Sequence, residues 1–261
     1  MIPAGGAGAK GAPGTRVHVR PDAVRDGRVV LDADETRHVR RVLRLRVGDL
    51  VSAMDGLGHE WTVRLTALGA RAEGEILEAG ASAPESPLHL TLAQGLPKGD
   101  KLDTVIRMST ELGVAAIVPL LSARSVPRAE AGAARRGRWE RVAREAAKQC
   151  GRAVVPTVGA PSTLADWLAK RDRDGLLLCL WEREPVSLAE RLPARAPSRA
   201  AVVIGPEGGL ADDEVTALRA AGAIVAGLGP RLLRTETAGP VAVALLQARW
   251  GDLGTAGPGS A

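Results

Sequence analysis

Two short β-branched runs near the carboxyl end, Val202-Val203-Ile204 and Ile224-Val225, each lead into a glycine-containing loop rather than a polar turn. The first loop is Gly205-Pro206-Glu207-Gly208-Gly209, and the second runs from Leu228 through Gly229, Pro230, Arg231, Leu232, Leu233, Arg234 and Thr235 to Glu236 and Thr237. Glycine lets backbone amides approach a ligand with no Cβ in the way. In an open parallel sheet the binding crevice lies beyond the carboxyl ends of the strands, so two such loops would face one ligand. The chemistry they offer is recognition by main-chain donors and acceptors. It is not that of a nucleotide fingerprint, because the first loop lacks both the Lys-Ser/Thr of a P-loop and the spacing of a dinucleotide turn. The competing reading is a pair of ordinary βα connections in a Gly-rich chain.

The elements that must hold these loops are legible around them. Asp212, Asp213 and Glu214 fill a first helical turn, where carboxylates complement the positive helix end. Val215 and Leu218 give that helix an apolar face, and Gly222 is placed to end it. Pro240 bears on where the second loop stops, since inside a helix its ring clashes with a carbonyl four residues back. With Thr237 as N-cap, Pro240 falls in the first turn and Leu228 to Glu236 is loop. Upstream, strand-like and helix-like segments alternate. Strands are expected at 88–94, 114–121, 176–180 and 200–204, and helices at 101–112 and 135–150, with a further helix capped by Ser162. This alternation predicts an α/β fold, a doubly wound parallel sheet.

Before that region, 16–78 carries short alternating runs between Gly and Asp turns, the pattern of a small β-barrel. Within it, helical spacing from Arg37 to Arg46 puts Val39, Val42 and Leu43 on one side and Arg37, Arg40, Arg41 and Arg44 on the other. Such a segment could coat an anionic membrane, be a solvated helix, or lie along RNA phosphates. Its apolar face is short for a membrane. Residues 1–15 are Gly/Ala/Pro-rich and read as a disordered extension, 79–87 as a linker and domain boundary, 88–253 as the second domain and 254–261 as a flexible tail.

The chain has 261 residues, net charge +5, five Trp and no Phe or Tyr. Residues 98–152 hold twelve Lys/Arg against six Asp/Glu, whereas 16–80 balance at eleven of each. A positive field in the middle third suits a polyanion such as nucleic acid, with a solvated charged face as the plainer alternative. Cys150 and Cys179 lack metal or redox spacing and suggest reduced thiols in the cytoplasm. Four scattered His predict no metal site. No apolar run of membrane-spanning length and no signal core indicates membrane insertion or secretion.

The segments IGPEGGL (204–210), LGPRLLRTETA (228–238) and ALLQARWGDL (244–253), in this order, resemble the RsmE family. Those are SPOUT-class methyltransferases that methylate N3 of a uridine in small-subunit (16S) ribosomal RNA. The likeness extends through LPKGDKLDTVIRMSTELGVAAIVPLLSARSV (96–126), RWERVAREAAKQCGR (138–152) and, more weakly, RHVRRVLRLRVGD (37–49). It implies a SPOUT-type parallel sheet with a C-terminal trefoil knot, where pattern alone predicts no knot. It also implies a PUA-like β-barrel before the sheet, a homodimer, and S-adenosylmethionine as cofactor. Carried over by motif, the cofactor-binding positions are Leu180, Trp181, Gly205, Pro206, Glu207, Gly208, Gly209, Leu228, Gly229, Arg231, Leu232, Leu233, Arg234, Thr237 and Ala238. Arg234 is the expected cation for a uridine anion, and Glu207 or Glu236 the expected base, though Glu207 could simply fasten its own loop. Arg16, Arg37, Arg40, Arg41, Arg44, Lys98, Arg124 and Arg152 are expected to meet the RNA within an assembled small subunit. For Arg124 and Arg152, dimer contacts and internal ion pairs compete with that role. The family has aromatics just after its first Arg, but here Val17 and His18 follow Arg16. A non-catalytic ribosome-assembly factor with the same fold is the other function these residues allow.

Overall fold

A computed structural model describes residues 15–80, 82–124 and 129–255. Most of the segments expected to be disordered or flexible, 1–15 and 254–261, lie outside these described residues. The described chain divides into two compact units, one formed by the residues up to Pro84 together with Ala147–Val155, the other by Glu85–Ala146 and the residues from Pro156 onward.

The first unit is built on a six-stranded sheet in the order β1-β4-β5-β6-β3-β2. Its strands are β1 (Arg16–His18), β2 (Val24–Arg25), β3 (Arg28–Val30), β4 (Leu50–Met54), β5 (Glu60–Leu68) and β6 (Ala72–Gly80). The sheet is open, with β1 and β2 at its edges, so the small β-barrel expected here takes the form of a half-barrel. Alternate residues Val17, Val29, Val51, Ala53, Val63 and Leu65 turn inward to one apolar core, joined by Leu31 and Val39. The short helix α1 (Ala33–Arg37) is capped by Asp32, whose carboxylate accepts from the Glu35 amide at 2.8 Å. It then widens into a π-helical turn over His38–Val42. The wider turn changes the phase that plain helical spacing assumed. Val39 is buried and Leu43 packs on the core, but Val42 is 66% exposed, which corrects its expected place on the apolar side.

The second unit carries the parallel sheet, ordered β10-β8-β7-β12-β11-β13, with β9 also paired to β8. Along the chain come β7 (His89–Gly95), α2 (Lys101–Glu111), β8 (Ala116–Leu121), α3 (Ala129–Cys150), β9 (Thr157–Val158), β10 (Ser162–Thr163), α4 (Leu164–Lys170), β11 (Leu176–Leu180), α5 (Leu188–Arg191), β12 (Arg199–Ile204), α6 (Asp212–Ala220), β13 (Ile224–Ala226) and α7 (Thr235–Trp250). Every strand pair in this sheet is parallel. Strands of this kind are covered on both faces, and Leu178, Cys179, Val202 and Val203 are almost fully buried. Thr163, not Ser162, caps α4: its hydroxyl accepts from the Asp166 amide at 3.1 Å. Ser162 is held in β10 by pairing with Leu120, which explains the one-residue displacement.

The start of α7 departs furthest from expectation. The helix begins at Thr235 with Arg234 as N-cap, so Thr237 is a residue of the first turn and Pro240 lies inside the helix. Pro240 removes one helical hydrogen bond there. Tertiary bonds fix the early start instead. The Thr235 hydroxyl donates to the Gly205 carbonyl at 2.7 Å and accepts from Gln94 Nε2 at 2.8 Å, which lets the Arg234 carbonyl take the first helical bond, from the Ala238 amide at 2.8 Å. Farther along α7, the buried Gln247 accepts from Ser86 and donates to the Gly113 carbonyl at 2.7 Å.

Candidate functional site

Three adjacent strands end level with one another. Leu180 of β11 is in register with Ile204 of β12 on one side and with Ala226 of β13 on the other. The loops leaving these three ends therefore start side by side, and with the first turn of α7 they enclose a cavity of about 740 Å³. Both glycine loops line it, as do Leu180 and Trp181.

The first loop is fixed by close packing that tolerates no side chain at certain points. Gly95, at the end of β7, lies so near Pro206 that a Cβ would come within 2.6 Å of its ring Cδ. Gly209 has φ +71, a left-handed conformation, and a Cβ there would meet the Glu182 carboxylate. The loop's carboxylate is also spoken for. Glu207 accepts from the Lys98 amide at 3.1 Å and pairs with Lys101 at 3.1 Å. Partial burial pushes the Glu207 carboxyl up, but its own backbone amide, Lys101 and the Lys98 amide together outweigh this and hold it below the usual glutamate range. Lys101 Nζ lies 3.3 Å from Glu236 as well, so one ammonium on α2 links the two catalytic glutamate candidates. The bond to Glu207 leads the causes that raise the Lys101 pKa and keep it charged.

The third edge is a rigid aromatic wall. The Arg183 guanidinium lies 4.3 Å from the centroid of the Trp181 ring and that of Arg219 5.7 Å from it. Arg183 pairs with Asp212, and Arg219 with Glu184 at 3.0 Å. The indole N–H of Trp181 is buried without a hydrogen-bond partner, whereas Glu236 Oε2, also buried, faces Lys101 Nζ at 3.3 Å. The cavity thus presents an unmet donor, the Lys101-paired carboxylate of Glu236, glycine-lined backbone and apolar wall from Leu180, Ile204, Leu228 and Leu233. That set fits a ligand with both polar edges and apolar parts, as S-adenosylmethionine has.

Of the expected cofactor positions, Leu180, Trp181, Gly205, Pro206, Glu207, Gly208, Gly209, Leu228, Gly229, Arg231, Leu232, Leu233, Arg234 and Ala238 line the cavity. Thr237 does not: the earlier helix start leaves it exposed, and Thr235 lines the cavity in its place. Leu232 is 82% exposed, so it stands at the mouth rather than forming buried wall. Lys101, Glu182, Glu184, Ile204, Gly227, Pro230 and Thr235 also line it and were not foreseen. Lys101 stands in the LPKGDK stretch already noted, but nothing local connects it to residues more than a hundred positions away.

The residues expected to meet RNA are scattered in their roles. Arg16 pairs with Glu60 at 3.1 Å, Arg37 with Asp34 at 3.0 Å, and Arg40 donates to the Gly69 carbonyl at 3.2 Å. Arg124 donates to the Gly208 carbonyl at 2.9 Å and so braces the glycine loop. Arg41 and Arg44 are exposed, Arg44 with φ +54, and Lys98 is exposed apart from the amide bound to Glu207. Arg152 is half-buried.

A family profile described as an RNA methyltransferase domain matches residues 84–247, and one described as an RNA methyltransferase PUA domain matches 31–76. Parallel sheet, glycine-lined cavity and half-barrel therefore define a PUA-bearing RNA methyltransferase. The ribosomal RNA small subunit methyltransferase E of Synechocystis sp. is 35% identical over 236 residues, covering 89% of this chain and 77% of that protein. The crystal structure of the enzyme of that name from Neisseria gonorrhoeae, bound to S-adenosyl methionine, superposes with a TM-score of 0.84 at 34% identity, covering 91% of this chain and 98% of that one. A methyltransferase of Legionella pneumophila in complex with the same cofactor gives a TM-score of 0.85 at 31% identity, covering 93% and 100%. The chain belongs to the RsmE family of small-subunit ribosomal RNA methyltransferases.

Proposed function

We propose that the protein transfers the methyl group of S-adenosylmethionine to N3 of a uridine in 16S ribosomal RNA within an assembled small subunit. The observation that carries this reading is the convergence of both glycine loops, Trp181 and the first turn of α7 on one cavity. S-adenosylmethionine, when bound, supplies an electrophilic methyl on a sulfonium. The backbone of Gly205 to Gly209, the Leu228–Leu233 loop, Leu180, Trp181 and Ala238 would hold it and exclude water. Uridine N3 is protonated at neutral pH, so the site must remove that proton and hold the anion while the partners are aligned. Arg234, exposed at the cavity rim, is the cation for that anion. Glu207 is committed to Lys98 and Lys101 and is kept ionised, which makes it a loop fastener. The base role then falls to Glu236, which shares the Lys101 ammonium at 3.3 Å but does not take the Lys98 amide that ties Glu207 to its loop. On this reading 16–78 is the RNA-holding domain and 88–253 the transferase, with α7 threaded through a trefoil knot. The working form is a cytoplasmic homodimer, and Arg37, Arg40, Arg41 and Arg44 face the RNA backbone.

Small-subunit particles lacking the modification are expected to take up labelled methyl from S-adenosylmethionine, the label mapping to 3-methyluridine. Label in another nucleoside, or none, would refute the reaction. Gly209→Ala forces a side chain into a left-handed position against Glu182. This is expected to weaken donor binding about 5- to 30-fold by calorimetry, given a conformational cost of roughly 1–2 kcal/mol. Unchanged affinity would place the donor elsewhere.

A further inference from the structure

The hairpin between β4 and β5 combines an immobile backbone with side chains left in water. Asp55, whose side chain is only 4% exposed, accepts from the Leu57 amide at 2.8 Å and the His59 amide at 3.2 Å. Its other oxygen lies 2.7 Å from His59 Nδ1. The tip is held from two further segments of the same unit. The Val155 amide donates to the Gly56 carbonyl at 2.9 Å, the Gly58 amide to the Ala153 carbonyl at 3.2 Å, and the Ser82 hydroxyl to the Gly58 carbonyl at 2.9 Å.

Out of this clamped turn stand Leu57, 67% exposed, and the His59 side chain, 68% exposed. The His59 ring stacks on Trp61 with centroids 5.9 Å apart and planes 24° from parallel, and Trp61 is backed by the core of the half-barrel. A hairpin tip needs none of this for stability, since apolar and aromatic surface left in water gains nothing from burial. The chain has no Phe or Tyr, and among the described residues this is the one stacked ring pair. A fixed aromatic face with an apolar neighbour is what holds an unstacked base, because every base has a π-face and stacking needs no sequence match.

We propose that His59, backed by Trp61 and flanked by Leu57, is a stacking platform for one unpaired nucleobase of the RNA substrate. Asp55 serves it as a positioning residue, fixing the ring by its Nδ1 contact. The platform stands on the half-barrel's own β4–β5 turn. This inference rests on the RNA methyltransferase reading and adds a base contact to the phosphate contacts assigned to the arginines.

The test is equilibrium binding of a fluorescein-labelled single-stranded RNA, and of the same strand annealed to its complement, by the full-length protein. His59→Ala removes the ring. His59→Gln keeps a donor for Asp55 without a ring, and His59→Phe keeps a ring without the Asp55 contact. His59→Ala and His59→Gln are expected to weaken single-strand binding about 5- to 30-fold and duplex binding less than about twofold, with His59→Phe within about threefold of native. S-adenosylmethionine affinity and melting temperature should stay at native values for His59→Gln. Native single-strand affinity in His59→Ala, or equal losses in His59→Phe and His59→Ala, would overturn the platform alone. Native oligonucleotide affinity with lost affinity for the small-subunit particle would move the surface to a protein partner and overturn the nucleobase assignment. A native protein that binds neither RNA nor the small-subunit particle would overturn the platform together with the underlying function.

Discussion

Replacing Thr235 by valine keeps the shape of the side chain and deletes the two hydrogen bonds that join the start of α7 to the glycine loop. Gln94 is fully buried, and without Thr235 its Nε2 keeps only a 3.3 Å contact to the Gly95 carbonyl. The Gly205 carbonyl is half-buried and can recover a water, so its loss weighs less. One buried, poorly satisfied donor and one partly rehydrated acceptor together cost about 2 kcal/mol. For a chain of this size that corresponds to a fall of roughly 4–8 °C in melting temperature. Since Gly205 opens the loop lining the cavity, the loosened loop must be re-ordered on binding. Donor affinity should therefore fall about three- to tenfold. Thr235→Ser keeps both bonds and loses one methyl, about 1 kcal/mol, with native donor affinity. Scanning calorimetry and titration calorimetry read the two quantities on the same samples. A Thr235→Val protein that melts within about 1 °C of native and binds the donor normally, or a serine variant that binds it as weakly as the valine one, would refute the argument that these bonds couple helix to loop.

Glu207 has a folded pKa below its ordinary value, so its ionised form adds stability that is fully present above the ordinary glutamate range and is lost as pH falls below it. Urea denaturation across pH should show a steeper acid limb in the native protein than in Glu207→Gln, and parallel limbs would contradict the assignment. Burial pushes the Cys179 thiol up to about 12, whereas Cys150 is exposed. A thiol reagent at pH 8 should therefore modify Cys150 first, with Cys179 reacting only on unfolding; simultaneous reaction would count against it. Arg40→Ala combined with Arg41→Ala should lower RNA affinity and reduce the salt slope by about two, leaving donor binding alone. An unchanged slope would remove these arginines from the RNA contact.

How much of this was legible in the chain depends on the range of the interactions concerned. Strands at 176–180 and 200–204 and the helix closed by Gly222 follow from apolar runs and a left-handed stop, which are local properties. The glycine loops could be read as ligand loops for the same reason. Val42 was misplaced because a π-helical turn shifts helical phase without a marker in composition. Thr163 displaced Ser162 as a cap because β10 pairs with β8 before the helix starts.

By itself the sequence determined the alternation that yields a parallel sheet, the two glycine loops at its carboxyl edge, the cations of the middle third and the family resemblance. Only the tertiary structure decided that α7 begins at Thr235, that Lys101 joins Glu207 to Glu236, and that Arg124 braces Gly208. Pro240 and Thr237 argued locally for the later start. The bonds from Thr235 to Gly205 and Gln94 outweighed them because they satisfy groups brought together from positions 30 and 141 residues away. Propensity acts over one turn of chain, whereas the cost of an unpaired buried group is set by whatever the fold places beside it.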